Sequence, residues 1–166
     1  MYSLKSLKTD QLTKNIVYKI LKIKDQTWKY GLISQKKYFN STVKKKDIHN
    51  LLFFKSNLIG YTLLNKKNIV FNNKKIPILY LDSLVISVKF RGKKIANLLM
   101  NFNNKIILDY NYFCILSCDK KMVSFYKKFF WSKINKNKKF VKSFRPNLIK
   151  MCFNKEKLIS YEKKEK

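Results

Sequence analysis

The sequence predicts a mixed α/β protein on three observations. Of its 166 residues, 46% are hydrophobic and 15% aromatic, which is enough apolar surface for a packed core. A long β-branched stretch at residues 76–88 reads as a central strand buried on both faces. Around it, runs with apolar residues at helical spacing alternate with short strand-like runs, an order that ends strand–helix–strand–helix–strand.

Residues 3–8 read as a short first strand. Thr9 or Asp10 suits an N-cap, and Leu12, Ile16, Ile20 and Ile23 recur at helical spacing, so a first helix covers about 10–24. Trp28 and Tyr30 lead into Gly31, and a second short helix covers 34–44. Residues 47–55 and 58–64 read as two strands joined by a turn at Lys55-Ser56-Asn57. Residues 68–71 extend this hairpin region, and Asn72-Asn73 is a turn signal. The stretch 76–88 ends at Arg91-Gly92. From 93 to about 109, Ile95, Leu98, Leu99, Phe102, Ile106 and Ile107 lie on one helical face. Residues 112–117 read as a strand, 120–130 as a short amphipathic helix, and 131–134 and 148–153 as two further strands. A single domain is expected over 1–154, with 155–166 a charged, frayed tail.

Lys plus Arg number 38 against 9 Asp plus Glu, a formal net charge of +29. Such charge points to an anionic partner: nucleic acid, a phosphorylated cofactor or an acidic membrane face. Codon composition is the competing explanation. There are 36 lysines but 2 arginines, Arg91 and Arg145, with 17 asparagines, 17 isoleucines, one alanine and three glycines. These are the marks of an extremely A/T-rich genome, in which much of the lysine is drift on a solvated surface. A dedicated nucleic-acid binder keeps arginine, whose planar fork reads phosphate and base edges better. No apolar run approaches the ~18 residues of a membrane span, and the first 15 residues hold no apolar block of signal-peptide length. The three cysteines are odd in number and lack metal spacing, so a reduced, cytoplasmic setting is expected.

Residues 84–100 read as strand, basic turn and helix. A helix N-terminus presents unpaired N–H groups and a partial positive charge. Gly92 lets the backbone approach a ligand closely, Ala96 keeps the first turn slim, and Arg91, Lys93 and Lys94 add charge. This is the construction of a pyrophosphate cradle. A plain strand–helix junction, basic by composition, is the structural alternative. Arg91, Gly92 and Ala96 all survive within one window of a chain poor in all three residue types, which marks the window as held in place by something other than drift.

The window resembles the cofactor motif of the GCN5-related N-acetyltransferases: Arg or Gln, two variable residues, Gly, one variable residue, then Gly or Ala. Arg91 and Ala96 match its ends, and Lys94 replaces its central glycine. The resemblance implies acetyl-CoA as co-substrate. Arg91, Gly92, Lys93, Lys94, Ile95, Ala96 and Asn97 would hold its diphosphate. The backbone of Leu84, Val85 and Ile86 would hold the pantetheine arm, with an N–H near Ile86 polarising the thioester carbonyl. Residues 119–131 resemble the family's later motif of Asn, then Phe-Tyr, then Gly-Phe. Phe125-Tyr126 match it, while Asp119, Phe130 and Trp131 stand for Asn, Gly and Phe. By that resemblance Tyr126 protonates the departing thiolate; a packed core tyrosine is the alternative. Residues 48–52, Tyr80-Leu81-Asp82 and 114–131 look similar, less specifically, to aminoglycoside 2-prime acetyltransferases. The implied fold is α/β (α+β), with a mixed, mostly antiparallel central sheet splayed at the cofactor site and flanked by about four helices.

Attack on a thioester needs a neutral amine, so some group must accept a proton. Asp82 lies in the central strand on the side of Leu84 and Ile86 by alternation, where a carboxylate is costly unless paired or used. It is the first candidate base, with a lysine salt bridge as the alternative. His49, the one histidine, is the second candidate, with a structural role as its alternative. Asp119 reads as a structural cap. Cys118 lies near the cofactor end of a strand, but no second histidine or thiolate-stabilising partner supports an acyl-cysteine. Direct transfer to a primary amine in a ternary complex is expected, with no metal. The acceptor is a small molecule or peptide; a cationic aminoglycoside suits a +29 protein poorly. A basic nucleic-acid-binding module, a longer acyl donor, or a degenerate fold member that binds CoA or a partner without catalysis are the rivals. No membrane association is expected, and the chain would be a monomer or homodimer.

Overall fold

The computed structural model describes residues 1–135, 140 and 144–163. Its strands are β1 (Tyr2–Lys8), β2 (Ile48–Phe54), β3 (Asn57–Phe71), β4 (Lys74–Ile86), β5 (Cys114–Cys118), β6 (Ser132–Lys133) and β7 (Ile149–Phe153). They form one seven-stranded sheet in the order β1-β2-β3-β4-β5-β7-β6. β1–β2, β2–β3, β5–β7 and β6–β7 are antiparallel, and β4–β5 is parallel. The helices are α1 (Lys14–Asp25), α2 (Leu32–Thr42), α3 (Ile95–Asp109), α4 (Val123–Lys127) and α5 (Lys155–Lys163). The expected mixed, mostly antiparallel sheet is present. Among the described residues, five α-helices stand where about four were expected, and the fifth comes from the supposed tail.

Two compact units make up the chain: Met1–Asn65 with Ser83–Asn103, and Lys66–Asp82 with Asn104–Lys166. In the first, α1 buries Ile20, Leu21 and Ile23 with Phe39 of α2 and with Leu51, Tyr61, Leu63 and Val85 of the sheet. A second cluster joins Leu52, Ile59, Ile95 and Leu99. Each such side chain contributes roughly 1.5–3 kcal/mol on leaving water. The first helix starts at Lys14, later than the sequence indicates. Thr13 is its cap, accepting the Ile16 N–H at 3.3 Å. Thr9 cannot serve, because its hydroxyl is bonded to the Lys44 carbonyl at 2.6 Å and to His49 at 2.9 Å. The second helix starts at Leu32 instead of 34, on Gly31, whose N–H donates to Asp25 at 2.8 Å.

In the second unit, Ile69, Phe71, Ile76, Ile78 and Tyr80 pack with Phe113, Ile115, Cys152 and Leu158. The two-residue turn Asn72-Asn73 has φ of 47° and 59°, the left-handed pair a tight hairpin requires. Asparagine tolerates that region better than other non-glycine residues. β3 runs unbroken across 65–67, where the sequence shows a gap in the strand pattern. The polar residues there find partners distant in sequence. In the first unit Asn65 donates to Asp47 at 2.7 Å. In the second, Lys66 lies over the Tyr110 and Tyr112 rings, and Lys67 over Tyr80 at 4.4 Å.

Several helical and tail expectations are corrected. The helix expected over 120–130 is a 3-10 turn, Lys120–Met122, followed by the short α4. The strand expected over 131–134 shrinks to Ser132–Lys133. The tail expected to fray over 155–166 forms α5 as far as Lys163, because Leu158 is buried and Tyr161 packs beside it; 164–166 lie outside the described residues. Among the described residues no helix is long and apolar enough to cross a membrane.

Candidate active site

In the first unit, β4 ends at Ile86 and the chain turns sharply. Ser87 N–H donates to Ile59 carbonyl at 2.8 Å, and a 3-10 turn, Val88–Phe90, follows. Arg91 braces this turn. Its Nε donates to the Ile86 carbonyl at 3.0 Å and its terminal nitrogen to Thr27 at 2.7 Å. The arginine that opens the motif therefore shapes the backbone as well as adding charge. Gly92 follows with φ +75° and Lys94 with φ +57°. Lys94, at the position where the resembling motif has glycine, thus holds the left-handed conformation that glycine favours. α3 starts at Ile95 and not at Lys93, because this left-handed residue cannot belong to the helix.

The amides at this junction are the site's main feature. Arg91 N–H closes on Val88 carbonyl at 3.2 Å and Asn97 N–H on Lys94 carbonyl at 3.0 Å. Among the described residues, no backbone acceptor takes the N–H groups from Gly92 to Ala96. Residues 91–94 are exposed, with Ala96 and Asn97 half-buried. Ile95 and Leu99 are buried and anchor the helix's first turns, so the donors sit on a fixed base. Upstream, Leu84 and Ile86 are half-buried and Val85 is buried, the alternation expected of a strand. Gly60 lets Ile86 lie close: a Cβ there would meet Ile86 Cδ1 at 3.1 Å. Continuous burial on both faces holds only over 78–81 of β4, less than the sequence indicates.

His49 also lies in the first unit. Its ring is fully buried, with Nε2 2.9 Å from the Thr9 hydroxyl and Nδ1 3.0 Å from the Tyr61 hydroxyl. Burial, with Lys24 adding to it, lowers its pKa to about 4. This corrects the candidate base: both ring nitrogens are engaged inside the core and no face of the ring is left for a substrate. Nearby, Asn103 of α3 accepts from Asn50 at 2.5 Å and from Thr62 at 2.6 Å, a buried polar tie from helix to sheet.

In the second unit, the parallel β4–β5 ladder closes Leu79↔Cys114, Tyr80↔Ile115 and Leu81↔Leu116, then stops. Asp82 follows directly. Its side chain is 7% exposed and meets the Arg145 guanidinium at 3.4 Å. The salt bridge weighed as an alternative exists, with an arginine in place of a lysine. Tyr126 on α4 is buried, its ring against Phe125 and Trp131. Burial first, then Cys118 and Tyr80, pushes its phenol well above the ordinary range, so it stays protonated. Phe130 has φ +64° at the second position where the resembling motif has glycine. Asp119 precedes the 3-10 turn but its side chain caps nothing. Cys114, Cys118 and Cys152 are free and buried; burial raises all three thiols, which disfavours a thiolate nucleophile at Cys118. Among the described residues, no three His, Cys, Asp or Glu side chains gather as metal ligands.

Two residues escaped the sequence reading. Asn104 accepts from Trp131 Nε1 at 3.0 Å and donates to the Phe129 carbonyl at 2.9 Å, fixing the turn after α4. Nothing local marks it among 17 asparagines. Arg145 did carry a signal, as one of 2 arginines in a lysine-saturated chain.

No protein-family model and no curated protein matches the sequence. Solved structures do match the fold. Escherichia coli ElaA has a TM-score of 0.69 at 15% identity, over 92% of this chain and 99% of that one. An acyl-CoA N-acyltransferase from Pseudomonas aeruginosa gives 0.67 at 14%, over 92% and 99%. An aminoglycoside 6'-N-acetyltransferase complexed with coenzyme A gives 0.62 at 14%, over 90% and 96%. At such identities the likeness is one of architecture, and the architecture is the GCN5-related N-acetyltransferase fold.

Proposed function

We propose that the chain transfers the acetyl group of acetyl-CoA to a primary amine by direct attack in a ternary complex. One observation carries the reading: the succession of unacceptored amides from Gly92 to Ala96, at a helix start flanked by Lys93 and Lys94. Such donors suit a diphosphate, whose charge the helix terminus and two ammonium groups offset. Leu84 to Ile86 would align the pantetheine arm. Bound there, acetyl-CoA supplies a thioester whose C–S bond breaks as the amine nitrogen forms a C–N bond; one proton leaves nitrogen and one reaches sulfur.

Tyr126 would give the sulfur its proton and recover one from solvent. Its raised pKa makes it a weaker acid than an exposed phenol, so its first contribution is a neutral hydrogen bond to the departing sulfur. Asp82 would take the amine proton, directly or through water. Three buried thiols suit a reducing cytoplasm.

Calorimetry with acetyl-CoA, desulfo-CoA and a random oligonucleotide at two salt concentrations tests the proposal. Micromolar binding of both coenzymes, with oligonucleotide binding weak and erased by salt, is expected. Oligonucleotide binding without coenzyme binding would replace the enzyme with a nucleic-acid module. Tyr126→Phe should lower turnover ~10- to 100-fold with little change in coenzyme affinity; unchanged turnover, with chemistry rate-limiting, removes Tyr126 from this role.

A further inference from the structure

The turn that leads into the proposed coenzyme junction is held from a distant part of the chain. Within the first unit, the 3-10 turn Val88–Phe90 and Arg91 lie between β4 and α3. Local bonds close the turn: Phe90 N–H donates to the Ser87 carbonyl at 2.8 Å and Arg91 N–H to the Val88 carbonyl at 3.2 Å. Such bonds shape the turn without fixing where it stands. Two side chains at the end of α1, 62 and 64 residues away from their partners, supply that. Gln26 Oε1 accepts the Val88 N–H at 3.2 Å, and the Thr27 hydroxyl accepts from the Arg91 guanidinium at 2.7 Å. Arg91 Nε donates at the same time to the Ile86 carbonyl at 3.0 Å, so the guanidinium bridges the end of β4 to the end of α1. Both of these partners are neutral oxygens, which orient the guanidinium without cancelling its charge.

The end of α1 is itself a fixed support. The N–H groups of Thr27 and Trp28 both return to the Lys24 carbonyl, at 3.0 and 2.9 Å. Lys24 is buried, with its ammonium over the Trp28 and Tyr38 rings at 5.9 and 4.8 Å. The Trp28 carbonyl accepts from Gln35 at 2.6 Å, and Asp25 takes the Gly31 N–H at 2.8 Å. Ile20, Leu21 and Ile23 anchor the helix in the core. Gln26 and Thr27 themselves are exposed, so they add little packing to this support; what they hold is the turn.

We infer that Gln26 and Thr27 are positioning residues for the coenzyme: from the end of α1 they fix the turn from Val88 to Arg91, and with it the register in which the amides from Gly92 onward meet a diphosphate. The inference rests on the acetyltransferase reading and adds to it two residues that touch no substrate. A row of donors binds an anion well when its geometry is set before the ligand arrives, because a turn that must be ordered on binding gives up part of the affinity to that ordering. The two contacts differ in kind. Thr27 acts on the direction of the Arg91 charge, and Gln26 acts on the backbone at Val88.

The test compares the full wild-type chain with Thr27→Val, Thr27→Ser and Gln26→Leu. Each is titrated with desulfo-CoA by calorimetry, melted thermally, and followed by phosphorus NMR at saturating coenzyme. Thr27→Val and Gln26→Leu should each raise the Kd about 3- to 10-fold. Their melting temperatures should stay within about 2 °C of wild type, as befits exposed side chains. Thr27→Ser, which keeps the accepting oxygen, should bind as wild type does. In Thr27→Val the diphosphate resonances of the bound coenzyme should move, while its ribose phosphate resonance stays. Affinity unchanged in Thr27→Val or in Gln26→Leu, an equal loss in Thr27→Ser, or a loss matched by a fall in melting temperature would overturn the inference and leave the acetyltransferase reading standing. Absence of coenzyme binding by the wild-type chain would overturn both.

Discussion

His49 permits a quantitative test because the chain has one histidine. Its pKa falls from 6.5 to about 4 on folding, through burial first and Lys24 second. A depressed pKa in a basic group means that the unfolded chain binds the proton more tightly. Stability is then fully present above about pH 6.5 and is lost as the pH falls toward about 4. Two and a half units correspond to an upper limit of roughly 3 kcal/mol, and linkage between about pH 7 and 4.5 gives a loss of about 2–3 kcal/mol. Urea unfolding across the window, paired with the imidazole titration followed by NMR, reads the effect. His49→Gln, which keeps one donor and one acceptor for Thr9 and Tyr61, should flatten the slope. A wild-type profile already flat over this range would show that the ring is not held neutral by its surroundings.

Other outcomes follow from the backbone and the buried polar contacts. Lys94→Gly should leave stability equal or raise it by up to about 1 kcal/mol, since left-handed strain of ~1–2 kcal/mol is relieved against glycine's entropic cost of ~0.5–1 kcal/mol. Lys93→Gly, at a neighbouring residue without positive φ, should lower stability by about 0.5–1 kcal/mol, and thermal melts of the two variants compare them directly. Phe130→Gly should behave like Lys94→Gly, because the replaced ring is 85% exposed and little packing is lost. Asn104→Leu strands the Trp131 N–H and the Phe129 carbonyl and should cost about 2–4 kcal/mol in urea unfolding; a neutral result would mean that the turn after α4 is held by packing alone.

The elements that the sequence made legible are those whose apolar spacing is strong. Ile95, Leu99 and Ile107 of α3 are buried as their periodicity requires, and the β-branched run on β4 forms the expected strand. Local cues failed where the deciding partner is remote. Thr9 looks like a cap until His49 and Lys44 claim its hydroxyl, and Asn65 to Lys67 look like a loop until Asp47, Tyr110 and Tyr80 are in place. Leu158 is hidden among Lys and Glu, so a segment that forms a helix reads as a tail. For the site, the junction at 91–97 was readable because arginine, glycine and alanine are scarce in this composition. The same scarcity marked Arg145 but could not say what it faces. His49 misled because a suitable intrinsic pKa says nothing of enclosure.

The two departures from the glycine pattern bear on whether the fold is degenerate. Lys94 and Phe130 replace glycine in residue type, yet both keep the left-handed backbone that glycine would adopt, at φ +57° and +64°. A side chain there is strained by ~1–2 kcal/mol, and a loop without further constraint relieves such strain by relaxing to negative φ. The surrounding structure holds each turn instead: the Arg91 brace stands at the turn of Lys94 in the first unit, and the Asn104 clasp stands at the turn of Phe130 in the second. At position 94 the side chain also brings an ammonium beside the amides of the junction.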